Sequence, residues 1–417
     1  MDRRGFLEKI WQAYPAAPHE AEIFGRLDSI SESALTLIGK GSFPLGEKVQ
    51  IQPLREKAHQ PVLFDWLIYG DQVGLVMNEG QVSEIWLLAP CLEEPLKLSS
   101  SQKIQEEWAH FLQQVRAFFV GKAFLEVQTP TLVKCPGTEP FLDLFSTELK
   151  VGRTRQKLFL PTSPEISLKK MLASGYEKIF EIRPCFRNGE ITETHQPEFY
   201  MLEWYRAYSD LEQIKQDVLH LIEFVTDTPL TRDNETEGFE AVSMQDLFND
   251  ILDFNLTPET SAQELVQLAQ RLGLNTQGYD LWDDLFYLIF VDQVEPKISS
   301  ENPLFLEKYP PSQAALARLT EDGWGDRFEL YWKGLEIANA FHELNDPKVQ
   351  WARFQDDLAK KKYLNKEVPA IDDDFLQALR SGMPPSGGIA LGLERLFMAT
   401  RGYAQIQNLK VFPYKAE

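Results

Sequence analysis

A chain of 417 residues with 43% hydrophobic content and nine tryptophans can fill two or three cores at ~150 residues per domain. Its 63 acidic residues outweigh 42 basic ones for a net charge of −21, which argues against a broad nucleic-acid footprint, since such footprints rest on Lys and Arg displacing counterions. No apolar run reaches the ~18 residues of a membrane span and no apolar segment follows Met1-Asp2-Arg3-Arg4, so a cytoplasmic protein is expected.

Between residues 20 and 92, short β-like runs cover Ile23–Leu27, Ala34–Ile38, Lys48–Ile51, Val62–Tyr69, Val73–Met77 and Ser83–Leu88. Gly39, Gly41, Pro44, Gly46, Gly70-Asp71 and Asn78-Glu79-Gly80 punctuate them, the pattern of a small antiparallel barrel or sandwich. Pro95 and Ser99-Ser100-Ser101 read as a linker or helix cap. The expected division is therefore a β-rich domain over 1–98 and a larger domain over 99–417. Residues 1–100 hold nine Lys and Arg against fourteen Asp and Glu. Cys91, Cys135 and Cys185 are too widely spaced for a C-x-x-C metal or redox pair.

From Gln102 the period becomes helical, with Ile104, Trp108, Phe111, Leu112, Val115, Phe118 and Phe119 on one face. Phe124–Val127 then leads as a strand into Thr129-Pro130. Ile179–Arg183 and Phe199–Tyr205 read as paired strands flanking Phe186-Arg187-Asn188-Gly189-Glu190 and His195-Gln196-Pro197-Glu198-Phe199. An Arg fork ending one strand and a Phe opening the next can clamp a nucleotide by its phosphate and its base. Helices are expected over 211–225, 265–272 and 280–291, and strands over 328–332 and 388–391. Strands separated by long helical insertions, without regular βαβ spacing, give an α+β fold class.

Two further segments carry chemistry. In Lys333-Gly334-Leu335-Glu336-Ile337-Ala338-Asn339-Ala340-Phe341-His342-Glu343, paired carboxylates suit Mg²⁺ shared with substrate phosphates. On an unbroken strand Glu336 and Glu343 point to opposite faces, so a bend near Asn339 is required to converge them. Gly387-Gly388-Ile389-Ala390-Leu391-Gly392-Leu393-Glu394-Arg395 reads as a strand entering a helix whose first turn aims Arg395 at a phosphate. It matches neither a P-loop nor a dinucleotide-binding fingerprint.

Taken in order, the helix and Pro130, the F-R-x-x-E…P-E-F hairpin and the G-L-E-R segment resemble motifs 1, 2 and 3 of the class II aminoacyl-tRNA synthetases. Thr162-Ser163-Pro164-Glu165 and the Glu336-to-Asp346 stretch are similar to the lysyl subgroup. Met201-Leu202-Glu203-Trp204-Tyr205-Arg206, Tyr331-Trp332-Lys333-Gly334, Pro136-Gly137-Thr138-Glu139-Pro140 and Gly382-Met383-Pro384 resemble most the elongation factor P lysine ligases of that subgroup. That resemblance implies a catalytic fold of antiparallel sheet flanked by helices, preceded here by a small β-rich domain. It implies an ATP- and Mg²⁺-dependent ligase that adenylates (R)-β-lysine or lysine and loads a lysine of elongation factor P, and a homodimer assembled through motif 1. The alternative is a lysyl-tRNA synthetase with a reduced N-terminal domain. The shortness and acidity of residues 1–98 make tRNA the weaker acceptor.

The resemblance also assigns roles. Arg187 takes the α-phosphate and Arg395 the γ-phosphate, as the catalytic pair. Phe199 stacks on adenine, His195 lies near the pyrophosphate, and Asn188, Glu190, Gln196, Ile337 and Gly392 complete the ATP site. Glu336 and Glu343 hold Mg²⁺, Glu343 also facing the substrate. Glu165 holds the amino group nearer the substrate carboxylate, Glu203 with Tyr205 holds the distal ammonium, and Ser163, Asn339 and Ala390 line the same pocket. Four positions depart from the family pattern. Gly189 stands where many members have Glu, which leaves Glu190 as the substitute. Gln196 replaces a common Asn, Glu193 a basic residue, and Ala390 the Gly usual in lysyl-tRNA synthetases.

Overall fold

A computed structural model describes residues 21–31, 33–52, 56–58, 67–89, 91, 98–227, 240–298, 302–314 and 316–415. Its contacts divide the chain into two units, Met1–Lys103 and Ile104–Glu417.

The first unit holds β1 (Ile23–Ile30), β2 (Ala34–Leu37), β3 (Gly41–Gln52), β4 (Glu56–Ala58), β5 (Gln72–Asn78) and β6 (Gln81–Ala89). Five of these close into a barrel, β1-β2-β3-β6-β5 and back to β1, with β3 parallel to β6 and β4 added at the edge of β3. This is the connectivity of an OB fold. Period-two alternation drives it: Leu35, Leu37, Val73, Leu75, Ile85 and Leu87 all turn inward and are buried. Of the expected run over 62–69, residues 62–66 lie outside the described residues, and Leu67–Tyr69 lead into a turn instead of a strand. Pro95 likewise lies outside them.

The second unit is built on an eight-stranded sheet. In chain order its elements are α1 (Gln102–Gly121), β7 (Leu125–Glu126), a hairpin of β8 (Phe145–Val151) and β9 (Thr154–Leu160), α2 (Glu165–Ala173), β10 (Lys178–Phe186), β11 (Glu198–Ala207), α3 (Leu211–Thr226) and β12 (Glu240–Ser243). Helices α4 (Met244–Leu252), α5 (Ala262–Arg271) and α6 (Trp282–Ile289) follow as one insertion, with a π-helical turn at Phe290–Val294. The chain then returns through β13 (Leu304–Tyr309), β14 (Gly325–Trp332), β15 (Leu335–His342), α7 (Pro347–Tyr363), α8 (Asp373–Gly382), β16 (Ser386–Gly392) and α9 (Leu393–Arg401). The sheet order is β12-β13-β14-β15-β16-β11-β10-β7, antiparallel except at its two outermost pairs.

Helices α1, α3 and α9 cover one face of this sheet. Phe111, Phe119, Ile222 and Phe397 pack there on Phe180, Trp204, Ile389 and Leu391, all fully or almost fully buried. Phe119 stacks on Phe180 with ring centroids 4.9 Å apart, and burying each such ring contributes about 1.5–3 kcal/mol. Polar bonds fix the motif 1 end of the sheet: Glu181 on β10 accepts from the Thr129 N–H at 2.9 Å and from its hydroxyl at 2.8 Å. Arg183 donates to the same hydroxyl at 2.7 Å. The opposite face of the sheet stays open as the floor of a cavity.

Candidate active site

Cross-strand register aligns one row of side chains over that floor. Glu203 on β11 pairs with Ala390 on β16, Ala390 with Asn339 on β15, and Asn339 with Glu329 on β14. A cavity of about 460 Å³ stands over the row. It is lined by Ser163, Glu165, Arg187, Glu190, His195, Gln196, Phe199, Glu203, Tyr205, Glu336, Ile337, Asn339, Ala390, Gly392 and Arg395, which brings fifteen of the expected site residues around one space. Asn188 and Glu343 are absent from its wall.

At one end the groups suit a nucleotide. The Arg187 guanidinium lies over the Phe199 ring, 5.2 Å from its centroid, and its closest carboxylate is Glu190 at 4.0 Å. Arg395 donates to the Glu336 carbonyl at 2.7 Å, to its carboxylate at 3.2 Å, and to His195 Nε2 at 2.5 Å. Since Arg can only donate, Nε2 accepts and the ring proton sits on Nδ1, where it meets the Thr192 hydroxyl at 2.8 Å. Burial first, then Arg395 and Arg187, lowers the His195 pKa to about 4, so this imidazole is neutral near pH 7. Gly189 takes φ +83 at the hairpin turn, a left-handed conformation that glycine tolerates best. The turn therefore needs Gly189 where many family members carry Glu, and Glu190 is the carboxylate that reaches the cavity.

Two residues expected to contact the nucleotide have other partners. The Gln196 amide accepts from the Tyr414 N–H at 2.8 Å and donates to the Tyr414 and His195 carbonyls. It anchors the C-terminal segment and has little capacity left for ATP. Asn188 does not line the cavity, and its backbone N–H is bonded to the Asp143 carbonyl at 3.1 Å.

The Glu336–Glu343 pair has other partners as well. The expected bend is a β-bulge, placed at Ile337 instead of Asn339: Leu330 pairs with Ala338 and Tyr331 with Glu336, leaving Ile337 as the extra residue. It does reverse the alternation and puts Glu336 on the face of Asn339 and Phe341. Yet seven residues at ~3.3 Å each still separate the two glutamates by roughly 20 Å of strand, too far for one Mg²⁺ with oxygen ligands at ~2.1 Å. The carboxylate beside Glu336 is Glu329, its diagonal neighbour on β14. Burial raises the Glu329 pKa, Arg327 opposes the rise, and Glu336 adds to it. Arg327 in turn donates to Glu329, to Asn339 at 3.0 Å and to the Gln313 carbonyl. Among the described residues no group of three or more His, Cys, Asp or Glu is placed to hold a metal. Two cavity-facing carboxylates still fit a cation whose other ligands are phosphate oxygens and water.

Glu343 belongs to the other end. Its carboxylate is buried against the Lys169 ammonium at 2.5 Å, and Lys169 also pairs with Glu165, four residues earlier on α2. Gly388 leaves the space for this: a Cβ there would overlap both the Glu343 carboxylate and the Tyr205 ring. Nearby, Ser163 donates to one oxygen of Glu203 at 2.5 Å and Tyr205 to the other at 3.0 Å. Burial, with Glu165 adding to it, raises the Glu203 pKa to about 8. Burial raises Glu343 to about 8, with Lys169 opposing. The despite-burial rise of the Lys169 pKa comes from Glu165 and Glu343. Glutamates outnumber cations here, so this end suits a polycationic ligand.

Sequence reasoning missed Lys169, Arg327 and Glu329. The first is an i,i+4 partner of Glu165 on a short helix, and the others alternate with the apolar Phe328 and Leu330 along one strand, signals that were available.

The profile of tRNA synthetases class II (D, K and N) matches residues 96–416. A protein of Vibrio atlanticus named elongation factor P–(R)-β-lysine ligase is 38% identical over 314 residues, covering 73% of this chain and 94% of the relative. Proteins of the same name from Proteus mirabilis (36% over 315 residues, 74% and 94% covered) and Haemophilus ducreyi (36% over 305 residues, 72% and 90% covered) are similar to it as well. The chain belongs to the class II tRNA synthetase family (D, K and N) and is an ATP-dependent ligase of that type.

Proposed function

We propose that this ligase activates (R)-β-lysine, or lysine, as its adenylate and transfers it to a lysine of elongation factor P. One observation carries the reading: a single cavity joins an Arg–aromatic nucleotide clamp to an acidic end lined by Glu165 and Glu203, where Glu165 shares the one lysine, Lys169, with Glu343 outside the wall. A diamino acid supplies the two missing cations and a carboxylate to be activated. The names of the relatives point the same way.

In this mechanism the substrate carboxylate attacks the α-phosphorus and pyrophosphate leaves. Arg187 holds the α-phosphate and Arg395 the γ-phosphate, exchanging its present bonds to Glu336 and His195 for phosphate oxygens. Phe199 stacks on adenine. Neutral His195 orients Arg395 without adding charge beside the leaving group. Mg²⁺, held by Glu336 and Glu329, neutralises phosphate charge when bound. Positioning and charge neutralisation supply most of the rate in such chemistry. Glu203, Tyr205 and Ser163 grip the distal ammonium and Glu165 the proximal one. The acceptor ε-amine then attacks the acyl carbonyl, forming an amide and expelling AMP. Assembly as a homodimer through the motif 1 segment is part of the same proposal. No helix among the described residues is long and apolar enough to cross a membrane.

Acceptor choice tests the reading. With ATP and labelled β-lysine or lysine, label should enter elongation factor P and not tRNA; label on tRNA alone overturns it in favour of a lysyl-tRNA synthetase.

A further inference from the structure

One carboxylate in the cavity wall has no part in the roles above. Glu139 sits on the segment before β8 and lines the same cavity as Glu165, within reach of its charge. That segment is fastened to α7 and the residues just after it at three points. Thr138 donates to Asp357 at 2.8 Å, Lys361 to the Leu142 carbonyl at 2.9 Å, and Lys366 to the Phe141 carbonyl at 2.6 Å. Glu139 is thus presented on a braced scaffold. Gly137, at φ +120, lets it fold back: a Cβ there would overlap the Glu139 carboxylate, which occupies space that only glycine leaves.

Its charge is uncompensated. Among the described residues no cation forms an ion pair with Glu139. Lys361, which lowers its pKa, is committed to the Leu142 carbonyl. Glu165 next to it already shares Lys169 with Glu343. Glu139 therefore adds to Glu165 a half-buried carboxylate with no ion-pair partner among the described residues, and enclosing an unpaired anion is costly. Burial raises the Glu139 pKa to about 7, its own backbone N–H opposing and Glu165 adding to the rise. A proximal ammonium next to Glu165 comes within the influence of both carboxylates, whereas Glu203 is engaged by Ser163 and Tyr205.

We infer that Glu139 is a further substrate-binding residue, sharing with Glu165 the ammonium group nearer the substrate carboxylate. The inference rests on the diamino-acid reading above. It predicts that Glu139 contributes to binding only when the ligand carries a proximal amino group.

The test compares (R)-β-lysine with 6-aminohexanoate, which lacks only that group, by calorimetry on the full-length protein and on Glu139→Gln. The variant should bind β-lysine about 10- to 100-fold more weakly and 6-aminohexanoate unchanged, with Glu139→Asp recovering part of the loss. ATP affinity serves as the check on folding. Should Glu139→Gln lose ATP binding too, Gly137→Ala, which displaces the carboxylate without removing it, decides by the same comparison. An equal loss for both ligands, or none for either, overturns the role of Glu139 while leaving the diamino-acid reading intact. A wild-type protein that binds neither ligand overturns both.

Discussion

Ser163 donates a 2.5 Å hydrogen bond to Glu203, whose other oxygen accepts from Tyr205 at 3.0 Å. Both bonds stabilise the ionised carboxylate against a burial that pushes its pKa to about 8. Glu203→Gln should raise KM for the diamino acid by about 100-fold, the ~2.7 kcal/mol of a lost buried charge pair. Ser163→Ala should cost about tenfold, since Tyr205 remains. ATP–pyrophosphate exchange at varied amino-acid concentration measures both; unchanged KM in Glu203→Gln sinks the assignment.

Glu203, near pKa 8, is largely protonated at pH 7 in the empty pocket, and burial raises Glu343 as well against the opposing Lys169 ammonium. A dication favours their ionised forms, so binding should expel protons. Calorimetry in two buffers of different ionisation enthalpy will report net proton release at pH 7, vanishing near pH 9. The same groups make stability fall with pH. Each native pKa lies above the ordinary 4.5, so the native state binds more protons than the unfolded chain between those values. Thermal midpoints should decline from pH 5 to pH 8 without ligand, and saturating diamino acid should flatten the slope.

The bulge at Ile337 separates the duties of two glutamates. Glu336→Gln and Glu329→Gln should both raise the Mg²⁺ concentration for half-maximal exchange, by about tenfold or more. Glu343→Gln should leave that concentration unchanged and raise KM for the amino acid. A Mg²⁺ defect in Glu343→Gln equal to that of Glu336→Gln contradicts this placement.

His195 should show no titration near pH 6.5 by NMR, because burial and two arginines hold its pKa near 4. Arg395→Gln removes the larger of the two arginine influences and should move that value upward. Arg187→Ala or Arg395→Ala should abolish exchange while leaving the fold intact by circular dichroism.

The sequence made the scaffold and the nucleotide clamp readable because their signals are local. The apolar stripe from Ile104 to Phe119 lies on α1 as spaced, and Arg187 meets Phe199 because β10 and β11 pair in register around one turn. What stayed hidden depends on parity or on distant partners. One extra residue at Ile337 reassigns faces along β15, and alternation alone cannot reveal where it falls. Gln196 looked like an ATP ligand until its amide met Tyr414, 218 positions away. Lys169 bridges glutamates from a helix and a strand that local pattern cannot bring together.

The supernumerary residue at Ile337 also makes β15 a reading frame. Upstream of it Glu336 faces the cavity, and downstream Asn339 and Phe341 do; deleting one residue anywhere between would swing Glu336 into the helix-covered core. Length changes should therefore be lethal inside this strand and no better tolerated in the two-residue Lys333-Gly334 turn before it, whose two left-handed residues set the register of the hairpin.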